Sequence, residues 1–553
     1  MTRPTAKVVT TTSPTASWRR TQVRPKVSYG GEEPRREEDG WQEEQEDEIG
    51  WQVHMGHAGD DADDDAQPNQ QDGIRDTDAP RNGDGQGDDD QQAQDQLDDL
   101  GFVHGAERYS TRKPAGPRAS GGWHHDVVSA APLGGPPVDS EGHMKVLLVG
   151  VGTVGEAIAR LSRGKPWLEM MVLADYDADR AARIAGELGD GRTHPHERVD
   201  ASDAAAVEGL ARKHGVDLVM NAVDPSFVMP IFEGAFAAGV DYMDMAVSLS
   251  EPHPTEPHAQ PGVKLGDRQF ARAKAWEERG RLALVGMGMD PGLSDVFAAH
   301  AAKHLFDEIH EVNIRDGGDL RVEGYPFAPV FSIWTTIEEC LNPPIVWEKE
   351  RGWYTLEPFA GAERFVFPDG IGPMECVHVE HEEVVLVPRS LQPRKVTFKY
   401  ALGDEFIDVL RTLHLLGLDS TRKVRVKGVE VAPRDVVAAL TPDPATLGEA
   451  MVGRAVVGTW VTGLKDGRAR EIYHYQGCDA QETLRTHGLQ PVAWQTGFNP
   501  VIAMELLAEG AWSGAGVLGP EAFDPDPYLA LLDRYGIHHA IAEMEPGRAV
   551  ARG

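Results

Sequence analysis

The sequence predicts an α/β protein: a doubly wound parallel sheet carrying a nucleotide loop, a second region of mostly antiparallel strands, and a long polar tail in front. Three observations predict it. Short apolar runs alternate with alanine-rich helical patterns from Met144 onward. A glycine loop, Gly150-Val151-Gly152-Thr153-Val154-Gly155, sits between the first such run and the first helical pattern. Composition also changes abruptly just before Met144.

The chain has 553 residues and a formal net charge of −35, with 41% hydrophobic residues. That length suits two folded domains plus extras. The acidity argues against nucleic acid as a partner, because a phosphate backbone needs a basic footprint. Three widely spaced cysteines, Cys340, Cys376 and Cys478, make neither a disulfide framework nor a zinc pair, which fits a reducing cytoplasm. No apolar run approaches the roughly 18 residues that span a bilayer, so no membrane is expected.

Residues 1–31 contain no acid but carry Arg3, Lys7, Arg19, Arg20, Arg24 and Lys26 among Ser and Thr. That composition resembles an organelle transit peptide. No apolar stretch follows Arg19-Arg20, which disfavours a twin-arginine export signal. From Glu32 to about residue 100 the chain is acidic and polar, with runs such as Asp63-Asp64-Asp65. Too few apolar side chains are present to offset the entropy of ordering it. Residues 1–143 are therefore expected to be a disordered tail and linker, either solvated and partnerless or an acidic interaction arm.

After Met144 each element has its own signal. Lys145–Val149 and Met170–Ala174 are short apolar runs; Glu156–Leu161, Ala178–Leu188 and Ala204–His214 have helical spacing. A strand at Asp217–Asn221, a helix at Val228–Ala238 and strands at Asp241–Asp244 and Arg281–Val285 follow. Such alternation reads as βαβ units in a parallel sheet. Pro291 suits a first helical turn. His194-Pro195-His196 reads as a loop without a role. Residues 310–475 are rich in Val, Phe, Tyr and Thr runs broken by Gly and Pro, as a mostly antiparallel sheet would be.

A lone G-x-G-x-x-G is weak, but one that follows a strand and opens a helix has physical meaning. Gly150 permits the tight turn, Gly152 lets backbone approach a pyrophosphate, and Gly155 lets the helix pack on the strand. Thr153 and Val154 begin that helix, whose N-terminus favours phosphate. Asp175 lies twenty positions beyond Gly155, where an acid accepts from the ribose hydroxyls and repels a 2′-phosphate. NAD is therefore preferred over NADP, with Asp177 a rival for the ribose and Arg180 the residue that would favour NADP. Asn221 and Ala222 end a strand at the carboxyl edge of the sheet, where ligands collect.

These residues, in order, are similar to the saccharopine dehydrogenase family and its relatives carboxynorspermidine dehydrogenase and lysine 6-dehydrogenase. The resemblance runs through Gly150–Gly155, Asp217–Ala222, Ala237–Asp244, Gly286–Gly292, Trp494–Pro500 and Gly516–Glu521. It covers Met144 to about Ala542. It implies a Rossmann domain at 144–288, an inserted α/β substrate and dimerisation domain at 289–493, and C-terminal helices at 494–553 that return to the Rossmann domain. A homodimer is implied as well. The implied activity is an NAD(P)-dependent dehydrogenase acting on the C–N bond of an amino-acid-derived secondary amine or imine, with lysine metabolism as one setting.

Such a reaction needs a proton-transfer group and contacts for the substrate's carboxylates. Tyr242, Asp244, His381 and Glu382 are the catalytic candidates. Asp290, Arg321 and Arg389 are the substrate candidates, with Arg394 and Lys399 as further basic positions. Asp290 has helix capping as its competing role, and Tyr242 has core packing. His378 and His381 belong to a run read as a strand, where residues three apart face opposite sides, so no metal is expected. The alternative to an enzyme is a catalytically inactive NAD-binding sensor or scaffold that uses the acidic tail for partners.

Overall fold

The computed structural model describes residues 142–189, 191–545 and 550–551. The tail expected over the N-terminal region lies, up to residue 141, outside the described residues. The first domain is built on β1 (Met144–Val149), β2 (Leu168–Asp175), β3 (His196–Arg198), β4 (Leu218–Asn221), β5 (Asp241–Asp244) and β6 (Leu282–Leu284). With a late strand, Gly516–Leu518, they form a seven-stranded sheet in the order Gly516–Leu518, β6, β5, β4, β1, β2, β3. Every pairing in it is parallel.

Both faces of this sheet are covered. Val146 and Leu148 of β1 join one core layer, while Leu147 and Val149 join the other. That explains why β1 and β4 read as continuous apolar runs rather than alternating ones. The crossover helices are α1 (Thr153–Ser162), α2 (Ala178–Leu188), α3 (Ala204–His214) and α4 (Val228–Ala238). β3 begins inside the stretch expected to be a loop. It is three residues long and mostly exposed, too short for a periodic signal.

The second domain holds α5 (Leu293–His300), β7 (Glu308–Gly318), α6 (Ile333–Leu341), β8 (Glu363–Phe367), β9 (Gly372–His378), α7 (Glu383–Ser390), β10 (Lys395–Tyr400), α8 (Pro433–Leu440), β11 (Arg454–Lys465) and β12 (Arg468–Asp479). A final strand, β13 (His539–Met544), pairs antiparallel with β12. The path through this ten-stranded sheet is β13, β12, β11, β7, β10, β9, β8 and Val550–Ala551, with a hairpin at residues 345–355 attached to β10. Only β7 with β10 is parallel, so the sheet is mixed and mostly antiparallel.

Helix α9 (Pro491–Ala508) runs back onto the nucleotide domain. It is buried almost all round, as a helix without a polar face must be. A Cβ at Gly497 would lie 2.9 Å from the Ala157 Cβ, so glycine is what lets α9 sit against α1. No helix among the described residues is long and apolar enough to cross a membrane.

Candidate functional site

The glycine loop leaves β1 and enters α1. A Cβ at Gly150, where φ is +91°, would lie 2.7 Å from the Ala222 carbonyl oxygen; one at Gly155 would lie 2.0 Å from the Gly150 oxygen. Those two glycines are required by the chain itself. Gly152 differs: a Cβ there would meet nothing within 4 Å. Gly152 also caps α1 without a side-chain bond of its own. The cradle thus leaves unfilled space beside helix N–H donors, which suits a pyrophosphate.

Asp175, nearly buried, ties this loop to the end of β2. Its Oδ2 accepts from Val151 N at 2.7 Å and its Oδ1 from Asp177 N at 2.9 Å. Each oxygen keeps a lone pair for a ribose hydroxyl. Asp177, the rival acid, caps α2 instead, accepting from the N–H groups of Asp179 and Arg180. The Arg180 guanidinium lies 3.8 Å from Asp175.

Beside the loop opens a cavity of about 610 Å³. Gly152, Thr153, Val154, Asn221 and Ala222 line its nucleotide end. Asn221 is locked there: its Nδ2 donates to the Tyr242 hydroxyl at 3.0 Å and its Oδ1 accepts from Val223 N at 3.0 Å. The other walls come from the second domain, through Asp316 at the end of β7, Glu339 on α6, His381 before α7 and Tyr400 at the end of β10. Asp290 joins them from the loop before α5.

Charge in this cavity runs opposite to expectation. Its described lining includes Asp224, Asp244, Asp290, Asp316, Glu339 and Asp443 but neither Lys nor Arg. Burial pushes Asp316 up to about 6 and Glu339 up to about 8. Asp290 is raised further by burial and by Asp316 beside it, and its Oδ2 has no hydrogen-bond partner. Desolvated acids of this kind favour a bound cation, which restores their charged form.

The other candidates are distributed differently. Arg321 is exposed beside Glu323. Arg389 stacks over the Phe270 ring and faces Asp267 at 3.6 Å. Arg394 pairs with Glu308 at the surface, and Lys399 is held by Glu363 and the Gly361 carbonyl. None of the four lines the cavity. Basic residues look alike in sequence; here each found a carboxylate elsewhere.

Tyr242 is fully buried, edge-on to Phe232 at 5.2 Å, and is absent from the cavity lining. Core packing, the competing role, is where the structure places it. Asp244 does reach the cavity, yet its oxygens accept from Gly286 N at 2.7 Å and Gln269 Nε2 at 2.8 Å. Burial pushes it up to about 7. It braces the loop that carries Asp290. Asp290 does not cap α5, because Gly292 is the cap and its N–H donates to Asp295 at 2.8 Å. Pro291 accordingly precedes the cap rather than occupying the first turn.

β9 ends at His378, so strand alternation does not extend to His381. His378 Nδ1 bonds the Phe398 carbonyl at 3.1 Å, while His381 turns into the cavity and stacks on Phe398. Its Nδ1 lies 2.6 Å from Glu383 Oε2 and 3.4 Å from Glu382 Oε2. Burial opposes charge on the ring, but Glu383 and Glu382 outweigh it and raise its pKa. Glu382 itself is buried outside the cavity lining, near Val247 N. Sequence reasoning missed Glu383, Asp316, Glu339 and Tyr400. Their neighbours in sequence give no signal: Asp316 lies between Arg315 and Gly317, Glu383 follows Glu382, and Glu339 follows Glu338.

Comparison with known proteins fits this architecture. Residues 146–284 match the saccharopine dehydrogenase NADP binding domain, and residues 288–537 match the saccharopine dehydrogenase C-terminal domain. Carboxynorspermidine synthase of Vibrio alginolyticus is 30% identical over 420 residues, covering 74% of this chain and 99% of that protein. Carboxyaminopropylagmatine dehydrogenase of Synechocystis is 29% identical over 399 residues, covering 71% of this chain and 96% of that one. The apo saccharopine dehydrogenase (L-Glu forming) of Saccharomyces cerevisiae has a TM-score of 0.52 at 15% identity, covering 73% of this chain and all of its own. That last likeness concerns the fold.

Proposed function

The chain belongs to the saccharopine dehydrogenase family, and on that premise we propose that it oxidises or reduces the C–N bond of a cationic, carboxylated polyamine-like substrate with NAD. The family relation makes it an NAD(P)-dependent oxidoreductase. The substrate class rests on one observation above all: six acids and no Lys or Arg among the described residues lining the cavity. A saccharopine-like substrate with several carboxylates would find no Lys or Arg to pair with there. An amine with several ammonium groups would meet partners in Asp290, Asp316 and Glu339. A single carboxylate is left to the first turn of α6, where Ser332, Ile333, Trp334 and Thr335 face the cavity.

A bound nicotinamide supplies or accepts the hydride. The chain's residues do the rest. Gly150, Gly152 and Gly155 seat the pyrophosphate, Asp175 receives the ribose, and Asn221 and Ala222 wall the nicotinamide side. His381 exchanges the proton on the substrate nitrogen: its Nδ1 is committed to Glu383, which leaves Nε2 for the cavity. Asp175 also disfavours the extra phosphate of NADP, hence the preference for NAD.

A homodimer and a cytoplasmic location complete the reading. An exposed hairpin supports the first: Val426 is 51% and Val429 63% exposed. Three free cysteines suit the second. The deciding experiment follows reduced-cofactor absorbance with carboxynorspermidine, carboxyaminopropylagmatine, saccharopine and lysine. Turnover of the first two is expected. Preference for saccharopine would overturn the cation reading, and NAD binding without any turnover would restore the sensor.

A further inference from the structure

Three buried polar side chains stand in line behind His381, on three elements of the second domain. The Thr459 hydroxyl, on β11, donates to the Ser294 carbonyl at 2.7 Å. The Ser294 hydroxyl, on α5, donates to Glu383 Oε1 at 2.8 Å. Glu383 opens α7, and its Oε2 lies 2.6 Å from His381 Nδ1. Thr459, Ser294 and Glu383 are fully buried, and none of the three lines the cavity. Phe398 stacks on the His381 ring at 3.7 Å and 5°, which sets the plane of the ring. Glu383 sets which edge of that ring is left for the cavity.

The local structure of α5 does not call for a serine at this place. Gly292 caps the helix and donates to Asp295, so the cap is complete without Ser294. The helix is buried from Leu293 to Ala299, and only Ser294 and Asp295 are polar there. A helical serine commonly turns its hydroxyl back onto its own helix, whereas this one crosses to α7. What it meets is a carboxylate oxygen that would be costly to bury without a donor. A donor at that oxygen also favours the carboxylate over the acid. His381 depends on that charge. Burial opposes a proton on the ring, and Glu383 and Glu382 outweigh it. Glu339 from α6, Asp316 from β7 and Asp290 from the loop before α5 face the ring as well.

We propose that Ser294 is a positioning residue for the proton transfer, acting on His381 through Glu383, with Thr459 holding the Ser294 backbone in place. The proposal rests on the C–N oxidoreductase reading above, in which His381 exchanges the proton. On oxidation of the amine, the N–H proton passes to His381 Nε2, a hydride leaves the carbon for NAD, and an electron pair on nitrogen closes the C=N π bond. Ser294 keeps Glu383 charged and turned toward Nδ1, so the imidazolium that forms has its counter-charge already in place. Reduction runs the same step backward.

Ser294→Ala supplies the test, because it removes one oxygen and touches neither substrate nor cofactor. In the oxidation of carboxynorspermidine it should leave KM and NAD affinity unchanged and lower kcat about tenfold. The acid limb of the kcat profile should move down by about one pH unit, since His381 loses part of the charge that favours its protonated form. Nitrogen-15 NMR of histidine reads the same change without turnover. The His381 midpoint should fall in Ser294→Ala and fall further in Glu383→Gln. Adding Ser294→Ala to Glu383→Gln should move it no further, because Ser294 acts through Glu383. An unmoved midpoint in a folded Ser294→Ala protein overturns the proposal even if no substrate is ever found, as does an equal fall in the Glu383→Gln background. A loss of rate with the acid limb unmoved would overturn it too, by reducing Ser294 to packing.

Discussion

Gly152→Ala separates what the chain needs from what the cofactor needs. The backbone at Gly152 is extended, with φ −74° and ψ −161°, a conformation open to alanine. The added Cβ meets no protein atom within 4 Å. Folding stability should therefore hold or rise by about 0.4–1 kcal/mol through the unfolded state. Binding should suffer. A methyl group in that space keeps a phosphate oxygen from the loop N–H groups, and losing one charge-assisted hydrogen bond costs about 1.5–3 kcal/mol. That corresponds to roughly a ten- to hundredfold weaker NAD affinity. Gly150→Ala is the opposite case: its left-handed backbone and a 2.7 Å approach to the Ala222 carbonyl predict a loss of about 2–5 kcal/mol in folding. Calorimetric melting and NAD titration of both variants provide the assay. Wild-type NAD affinity in Gly152→Ala would refute the assignment of that space to the cofactor.

Asp175→Ala should weaken NAD more than NADP in paired titrations, and it should also lower Tm, because Val151 N loses its partner at a cost of about 1–3 kcal/mol. Substrate affinity should rise with pH between 6 and 8, as Asp316 at about 6 and Glu339 at about 8 pass to the charged form that a cation stabilises. A KM that worsens over that range would count against them. Asp316→Asn should flatten the lower part of the profile. Val426→Asp should convert a dimer to monomer in light scattering if the exposed hairpin is the contact.

Most of the nucleotide domain was legible because its signals are local. The helix ranges Ala178–Leu188, Ala204–His214 and Val228–Ala238 are periodic over three turns, and the structure has them at those bounds. The glycine loop was legible for the same reason, since strand, turn and helix are contiguous. β3 was not, being three residues long. The second domain could be read only as a class of sheet, because the register that places Asp316 beside Tyr400 depends on pairing β7 with β10, roughly eighty residues apart in the chain. His381 was named for its chemistry. Glu383, its closest partner, passed unnoticed because the run holding His381 reads as a strand, whereas the chain leaves the strand at His378 and opens a helix at Glu383.

The acids of the cavity set this chain's site apart from one built for a polycarboxylate. A family can share its fold and its hydride chemistry while its members differ in the charge of what they reduce. At an effective dielectric near 20, a charge 4 Å from an ionised carboxylate is worth about 4 kcal/mol, attractive for an ammonium and repulsive for a carboxylate. One misplaced substrate carboxylate would then cost roughly a thousandfold in affinity. On the proposed function, Asp316 and Glu339 would select the substrate by sign of charge, whereas the arginines expected to select a polycarboxylate pair with Glu308, Glu323 and Asp267 at the surface.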